Sequence, residues 1–182
     1  MKPDELLQNA KADHAYVTKN EHKIDRERWV LDRWLAAQGE HPKEIRQGDD
    51  PPDFVVDGIG VEIVEAMEAS RRRGDDYKAK VVAAEQGDIL VRQLPSLSEV
   101  REDGHMWILH QVKQKTAKPY DANASSQWKL LVYANFSWAD KVQWRLLEAK
   151  LLELHPPFAR VEVVYSVAET HVARTIFVAS KD

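Results

Sequence analysis

The sequence predicts a single α/β domain in which helices cover both faces of a mixed β-sheet. Segments with apolar residues at helical spacing are interleaved along the chain with short strand-like segments. One of these strands, WKLLVYANF at 128–136, is an almost unbroken apolar run, which is typical of a strand buried on both faces. The length of 182 residues suits one hydrophobic core.

The chain opens with two predicted helices. Residues 4–18 carry Leu6, Leu7, Ala10, His14 and Val17 at helical spacing, a stripe with few large apolar residues. A second helix is predicted from about Asp25 to Gln38, with Gly39 as its stop and with the stripe Ile24, Leu31, Trp34 and Leu35. We therefore expect an N-terminal helical extension over 1–23 and the main domain over 24–182.

A loop and a β-hairpin follow. The segment 41–54 contains Gly48, Pro51 and Pro52 and is predicted to be a loop. Residues 53–57, DFVVD, form the first predicted strand, GIG at 58–60 the turn, and VEIVEAM at 61–67 the second strand.

The second half of the chain alternates helices and strands. Helices are predicted over 75–86 and from His105 to Lys118, where Pro119 ends the helix, with Met106, Leu109, Val112 and Thr116 facing inward. The stretch between them, 87–104, has no clear pattern. After the buried strand come a helix at 139–154, with Val142, Leu146, Leu147, Leu151 and Leu154 on one face, and two strands at 161–169 and 172–180.

Composition narrows the class of function. The absence of cysteine excludes disulfides, thiolate metal sites and cysteine nucleophiles. The sequence has no apolar run long enough to span a bilayer and no signal-peptide core near its start, so we expect a cytoplasmic protein with no membrane partner. The net charge of −4 argues against a general nucleic-acid coat protein, but it is compatible with a nuclease whose metal-binding carboxylates are acidic.

The predicted hairpin carries a candidate metal site. Asp53 starts the first strand, and Glu62 stands between apolar residues of the second strand. A tight turn can bring these two side chains together, and two converging carboxylates repel unless a cation lies between them. Magnesium prefers such oxygen ligands and keeps several waters, one of which can attack a phosphodiester.

The segment from Pro52 to Glu65 resembles the PD-(D/E)xK superfamily of nucleases, whose motif is Pro-Asp, a short hairpin, and then an acidic residue, any residue and lysine. The resemblance implies a restriction-endonuclease-like fold, DNA as substrate, and Mg²⁺ or Mn²⁺ as cofactor. It also implies that Asp53, Glu62 and the carbonyl of Ile63 are metal ligands. Val64 stands where the family has its lysine.

A lysine from a neighbouring helix can replace the motif lysine, as it does in some members of that superfamily. Lys113 is our candidate because it follows Leu109 by four residues and so lies beside the inward stripe of its helix. Lys80, on the helix after the hairpin, is the second choice. We expect Lys115 to point away from the stripe.

Glu27 is a further candidate catalytic residue. It completes the helical stripe of Ile24 and Leu31, and a carboxylate on an inward face needs a partner. In many proteins of the superfamily a helix glutamate before the hairpin adds a metal contact, directly or through water. Glu40 and Glu44 are alternatives on the loop.

Each candidate also has a structural interpretation. Asp53 fits the start of a strand after two prolines, Glu62 fits an exposed position on an edge strand, and Asp57 fits turn chemistry. Glu27 can pair with an arginine such as Arg28 or Arg46, and Lys113 can be solvated. Arg71, Arg72 and Arg73 can contact phosphate or be a solvated charge run.

Three functions follow from these alternatives. The first is a magnesium-dependent endonuclease that cleaves DNA through Asp53 and Glu62. The second, suggested by Val64, is a catalytically inactive protein of nuclease fold that binds nucleic acid or a protein partner. The third is an unrelated small α/β binding module, and a homodimer is compatible with all three.

Overall fold

A computed structural model describes residues 3–68, 74–86, 104–136 and 138–179. These residues form a six-stranded mixed sheet with helices on both faces, as predicted. No helix in the described ranges is long and apolar enough to cross a membrane. The elements in chain order are α1 (Pro3–Thr18), α2 (Lys23–Gln38), β1 (Ile45–Gln47), β2 (Phe54–Val56), β3 (Ile59–Ala66), α3 (Asp75–Glu85), α4 (Gly104–Thr116), α5 (Ala122–Ser125), β4 (Lys129–Ala134), α6 (Trp144–Leu154), β5 (Arg160–Val167) and β6 (Thr170–Val178).

The strands lie in the sheet in sequence order, β1 to β6. β1, β2 and β3 form an antiparallel meander, and β5 and β6 form an antiparallel hairpin. The pairs β3–β4 and β4–β5 are parallel, so each is joined by a helical crossover. β4 is therefore an inner strand covered on both faces, which confirms the prediction drawn from its apolar run, and Leu130, Leu131 and Val132 are fully buried.

Two apolar clusters fill the space between sheet and helices. On one face α2 packs against the sheet, and the buried residues include Leu31, Trp34, Val61, Ile63, Leu131 and Val164. On the other face α4 and α6 pack against it, and the buried residues include Ile108, Val112, Leu130, Val132, Leu147, Leu151 and Val163. Successive residues of a strand face opposite sides, so β3 sends Val61 and Ile63 towards α2 and Glu62 and Val64 towards α4.

The hairpin turn differs from the predicted one. It consists of Asp57 and Gly58, both with positive φ (46° and 82°), and β3 begins directly afterwards at Ile59. A two-residue turn with two left-handed residues matches the twist of the strands, and aspartate followed by glycine suits it. The predicted turn at 58–60 was therefore wrong. Asp57 is thus a turn residue, as expected, and its carboxylate also accepts hydrogen bonds from the backbone N–H groups of Lys43 and Glu44 in the preceding segment.

The predicted helix positions are confirmed except that α6 begins at Trp144, five residues later than predicted, and not all the predicted inward faces are correct. Gly39 ends α2 with φ 67°, as predicted. Ile24, expected in the stripe of α2, Met106, expected inside α4, and Leu146, expected on the apolar face of α6, are exposed. The short strand β1 lies within the segment predicted to be a loop, because its three residues contain only one apolar side chain. Residues 69–73 and 87–103, which include the arginine run, lie outside the described residues.

Candidate active site

Asp53 lies immediately before β2 and is held by the backbone of β3. Its side chain is almost fully buried, and its Oδ2 accepts a hydrogen bond of 2.8 Å from the N–H of Ile63. Phe54, the next residue along the chain, pairs with Val61, the residue before Glu62. The backbone of β3 therefore holds the carboxylate of Asp53 at Ile63, the residue after Glu62.

Glu62 is a buried carboxylate in the interior of the sheet. It is 1% exposed, and β3 lies between β2 and β4, so the interpretation as an exposed residue on an edge strand was wrong. Its Oε1 lies 2.5 Å from the Nζ of Lys115 and accepts a hydrogen bond of 3.1 Å from the hydroxyl of Tyr120. Its Oε2 is buried and has no hydrogen-bond partner among the described residues. Because a buried carboxylate is costly without a partner, the ammonium of Lys115 is central to the stability of this arrangement.

Lys115, not Lys113, is the lysine that reaches the carboxylates. The side chain of Lys115 is only 12% exposed, whereas Lys113 is exposed. Lys80 is also exposed, and its ammonium lies over the ring of Tyr77 at 4.9 Å. The expectation that Lys115 points away was therefore wrong, and Lys115 replaces Lys113 as the candidate lysine.

The helical phase of α4 explains this correction. The predicted stripe begins at Met106, which is 47% exposed in the structure. The true inward stripe passes through Ile108 and Val112, both fully buried, and reaches Lys115 seven residues after Ile108. A stripe that begins at Ile108 predicts Lys115 as an inward-facing residue.

Glu27, on α2, shares a lysine contact with Asp53. The Nζ of Lys23, one helical turn earlier, lies 3.6 Å from Oε1 of Glu27 and 3.3 Å from Oδ1 of Asp53. The partner of Glu27 is thus a lysine, and Arg28 pairs with Asp32 instead. The loop alternatives Glu40 and Glu44 are exposed.

Sequence reasoning missed two of these residues, Lys23 and Tyr120. Lys23 precedes Glu27 by four residues and so shares its face of α2, a spacing that was available in the sequence. Tyr120 follows the end of α4, and only the packed structure shows that its hydroxyl reaches Glu62.

Burial and mutual repulsion raise the pKa values of Glu27 and Asp53 in this cluster. Burial and the negative charge of Asp53 raise the pKa of Glu27 to about 7, although Lys23 opposes them. Burial and the charge of Glu62 raise the pKa of Asp53, against the hydrogen bond from Ile63. Burial and the same glutamate also raise the pKa of the Tyr120 hydroxyl. The site therefore favours a bound proton or a further cation.

Lys23 remains an ammonium in this setting. Burial lowers the pKa of Lys23, but the nearby charges of Asp53, Glu27 and Asp50 outweigh it, and the pKa is raised. Lys23 therefore supplies one positive charge to the cluster, and Lys115 supplies another.

The donor set is compatible with a hard divalent cation. Within the described ranges, no group of three or more His, Asp or Glu side chains is arranged to hold a metal. Magnesium, however, is commonly bound by one or two carboxylates together with waters. Asp53 and Glu62 provide two, and the Oε2 of Glu62 is a buried oxygen without a hydrogen-bond donor.

The fold is similar to that of a solved protein of unknown function from Pseudomonas aeruginosa strain PAO1, which is described as a member of the monooxygenase superfamily. The TM-score is 0.56 at 16% sequence identity, and the match covers 98% of this chain and 84% of the other. Likeness at this identity concerns the fold alone. No curated protein matched the sequence.

A family profile matches residues 4–145, which is more than half of the chain. The matched segment includes the residues that meet at the site: Lys23, Glu27, Asp53, Glu62, Lys115 and Tyr120. The chain belongs to the family described as "Putative endonuclease, protein of unknown function (DUF1780)".

Proposed function

We propose that this protein is a metal-dependent endonuclease of the PD-(D/E)xK type, with a restriction-endonuclease-like fold, that cleaves DNA. The observation that carries the proposal is the meeting of two carboxylates, Asp53 and Glu62, with the ammonium of Lys115. The family description as an endonuclease supports the class of reaction.

Asp53 and Glu62, with the carbonyl of Ile63, would hold Mg²⁺ or Mn²⁺. The ion, when bound, supplies Lewis acidity and a water of lowered pKa. Glu27 has a pKa near neutrality, so it can bind a water of the site and take up a proton from it. The hydroxyl of Tyr120 orients Glu62 through its hydrogen bond.

Lys115 takes the role that Val64 leaves vacant. Glu62 and Val64 lie on the same face of β3, and α4 packs over that face. An ammonium from α4 therefore approaches Glu62 from the side on which a lysine at position 64 would project. There it offsets the negative charge that develops on a phosphate in the transition state.

The test is a cleavage assay on single-stranded, duplex and branched DNA with Mg²⁺, with Mn²⁺, and with chelator. We expect cleavage that depends on the metal and that falls about a hundredfold or more in Asp53→Asn and Glu62→Gln, because metal catalysis contributes several kcal/mol. Glu153→Gln, an exposed acid-to-amide change on α6, is the control and should cleave like the wild type. Folding of every variant is checked by circular dichroism. Cleavage that persists in Asp53→Asn, or no cleavage by the wild type on any substrate, contradicts the proposal.

A further inference from the structure

Lys23 contacts three carboxylates at once. Its Nζ lies 3.3 Å from Oδ1 of Asp53, 3.6 Å from Oε1 of Glu27 and 3.4 Å from Oδ2 of Asp50. The Asp53 side chain is 3% exposed and that of Asp50 is 71% exposed, so the ammonium lies at the boundary between the buried cluster and solvent.

The position of this ammonium matters because the two oxygens of Asp53 are occupied differently. Oδ2 accepts the hydrogen bond from the N–H of Ile63, and Oδ1 is the oxygen that Lys23 contacts. Lys115 is engaged with Glu62. A cation that uses Oδ1 of Asp53 must therefore compete with the ammonium of Lys23.

The ammonium of Lys23 is also able to move away from Asp53. Its side chain is 44% exposed, and the exposed Asp50 offers a partner outside the buried cluster. A half-exposed contact of this kind is held more weakly than the buried contact of Lys115, because water screens the charges.

We propose that Lys23 is an internal counter-ion that competes with the divalent metal for Asp53 and so sets the metal concentration at which the site is loaded. This inference rests on the proposed function, because it needs a metal at Asp53 and Glu62. It assigns to Lys23 a positioning role that neither the hairpin motif nor the family description includes.

The experiment measures the affinity for Mn²⁺ by isothermal titration calorimetry and, independently, by the electron paramagnetic resonance signal of free Mn²⁺. Lys23→Gln removes the charge and should tighten Kd by about tenfold, the effect of a charge contact of roughly 1.4 kcal/mol. Lys23→Arg keeps the charge and should bind like the wild type. Lys19→Gln removes an equal charge four residues away, at a side chain paired with Glu21, and controls for the general field.

The outcomes separate this inference from the function on which it rests. Tighter binding in Lys23→Gln, with Lys23→Arg and Lys19→Gln unchanged, supports the counter-ion role. It is equally supported if Lys23→Gln binds Mn²⁺ in a range where the wild type does not. If the wild type binds Mn²⁺, and Lys23→Gln binds it with the same or lower affinity and an unaltered circular dichroism spectrum, the counter-ion role is overturned. The nuclease proposal then still stands. No binding by the wild type or any variant overturns both.

Discussion

Glu62 and Lys115 form the most deeply buried ion pair that the described residues bring to the site, at 2% and 12% side-chain exposure. Removing one partner of a buried pair leaves an uncompensated charge. We expect Lys115→Met to lower the free energy of unfolding by about 3 kcal/mol. Adding Glu62→Gln to this variant should recover much of the loss, because the double variant has no buried charge at this position.

Urea denaturation of the wild type, the two single variants and the double variant completes a double-mutant cycle. A coupling close to zero, with the two losses simply additive, would show that Lys115 does not stabilise Glu62.

Glu27 gives the metal-free protein a specific pH dependence. Its pKa is about 7 in the folded protein against 4.5 for an ordinary glutamate, so the folded state binds more protons than the unfolded state between these values. Stability therefore falls as pH rises through this window. Glu27→Gln should remove this loss, stabilising the protein at pH 8 by about 1 kcal/mol after solvent screening, with no gain below pH 4.5.

Urea titrations in chelator at several pH values between 4.5 and 8 measure this difference. A difference between the variant and the wild type that is constant across the window would show that Glu27 does not titrate there.

At the scale of single residues, part of the candidate site could be predicted from the sequence. Asp53 and Glu62 stand out because a local motif spans both and because a carboxylate in an apolar strand is unusual. Lys115 depends on the rotation of α4: the predicted stripe shares Leu109 and Val112 with the buried face but begins at the exposed Met106. Tyr120 reaches Glu62 only through tertiary packing, which no local pattern encodes.

At the scale of elements, long periodic segments were predictable and short ones were not. The buried strand β4, the helix α6 and the hairpin of β5 and β6 carry many apolar residues in one pattern. β1 has three residues, and its strand conformation comes from pairing with β2 rather than from its own composition. The hairpin turn lies one residue earlier than the predicted turn at 58–60, because Asp57 and Gly58 adopt the left-handed conformations and Gly60 belongs to β3.

Gly60 has a packing role in β3 instead. A Cβ at this position would meet Cδ1 of Trp128 at 2.4 Å. Trp128 packs edge-on against Tyr120, whose hydroxyl holds Glu62. We expect Gly60→Ala to cost about 1–3 kcal/mol of stability, since overpacking forces the indole to move, and to weaken metal-dependent cleavage by disturbing Tyr120.

Thermal unfolding and the cleavage assay measure these two effects of Gly60→Ala. Trp128→Leu makes room beside the new methyl group, so combining it with Gly60→Ala should cost less than the sum of the two single changes. Strict additivity would contradict steric contact with Trp128 as the cause.

At the scale of the whole molecule, the site joins distant parts of the chain. Lys23 and Glu27 come from α2 on one face of the sheet, Lys115 comes from α4 on the other, and the hairpin lies between them. The unfolded chain cannot hold these groups together, so a cation bound there binds the folded state alone and adds to its stability.

The metal should therefore raise the melting temperature of the wild type. A hundredfold excess over Kd contributes about 2.7 kcal/mol, or about 5–10 °C for a chain of this size.

Asp53→Asn should abolish this shift, because it removes a ligand. It should also raise the melting temperature of the metal-free protein, because burial and the charge of Glu62 raise the pKa of Asp53 and a neutral side chain removes both penalties. Differential scanning calorimetry in Mn²⁺ and in chelator gives both values, with Glu153→Gln as the variant that should keep the shift. A wild type indifferent to millimolar Mn²⁺, together with a destabilised Asp53→Asn, would mean that Asp53 serves the hairpin through its hydrogen bond to Ile63 and holds no metal.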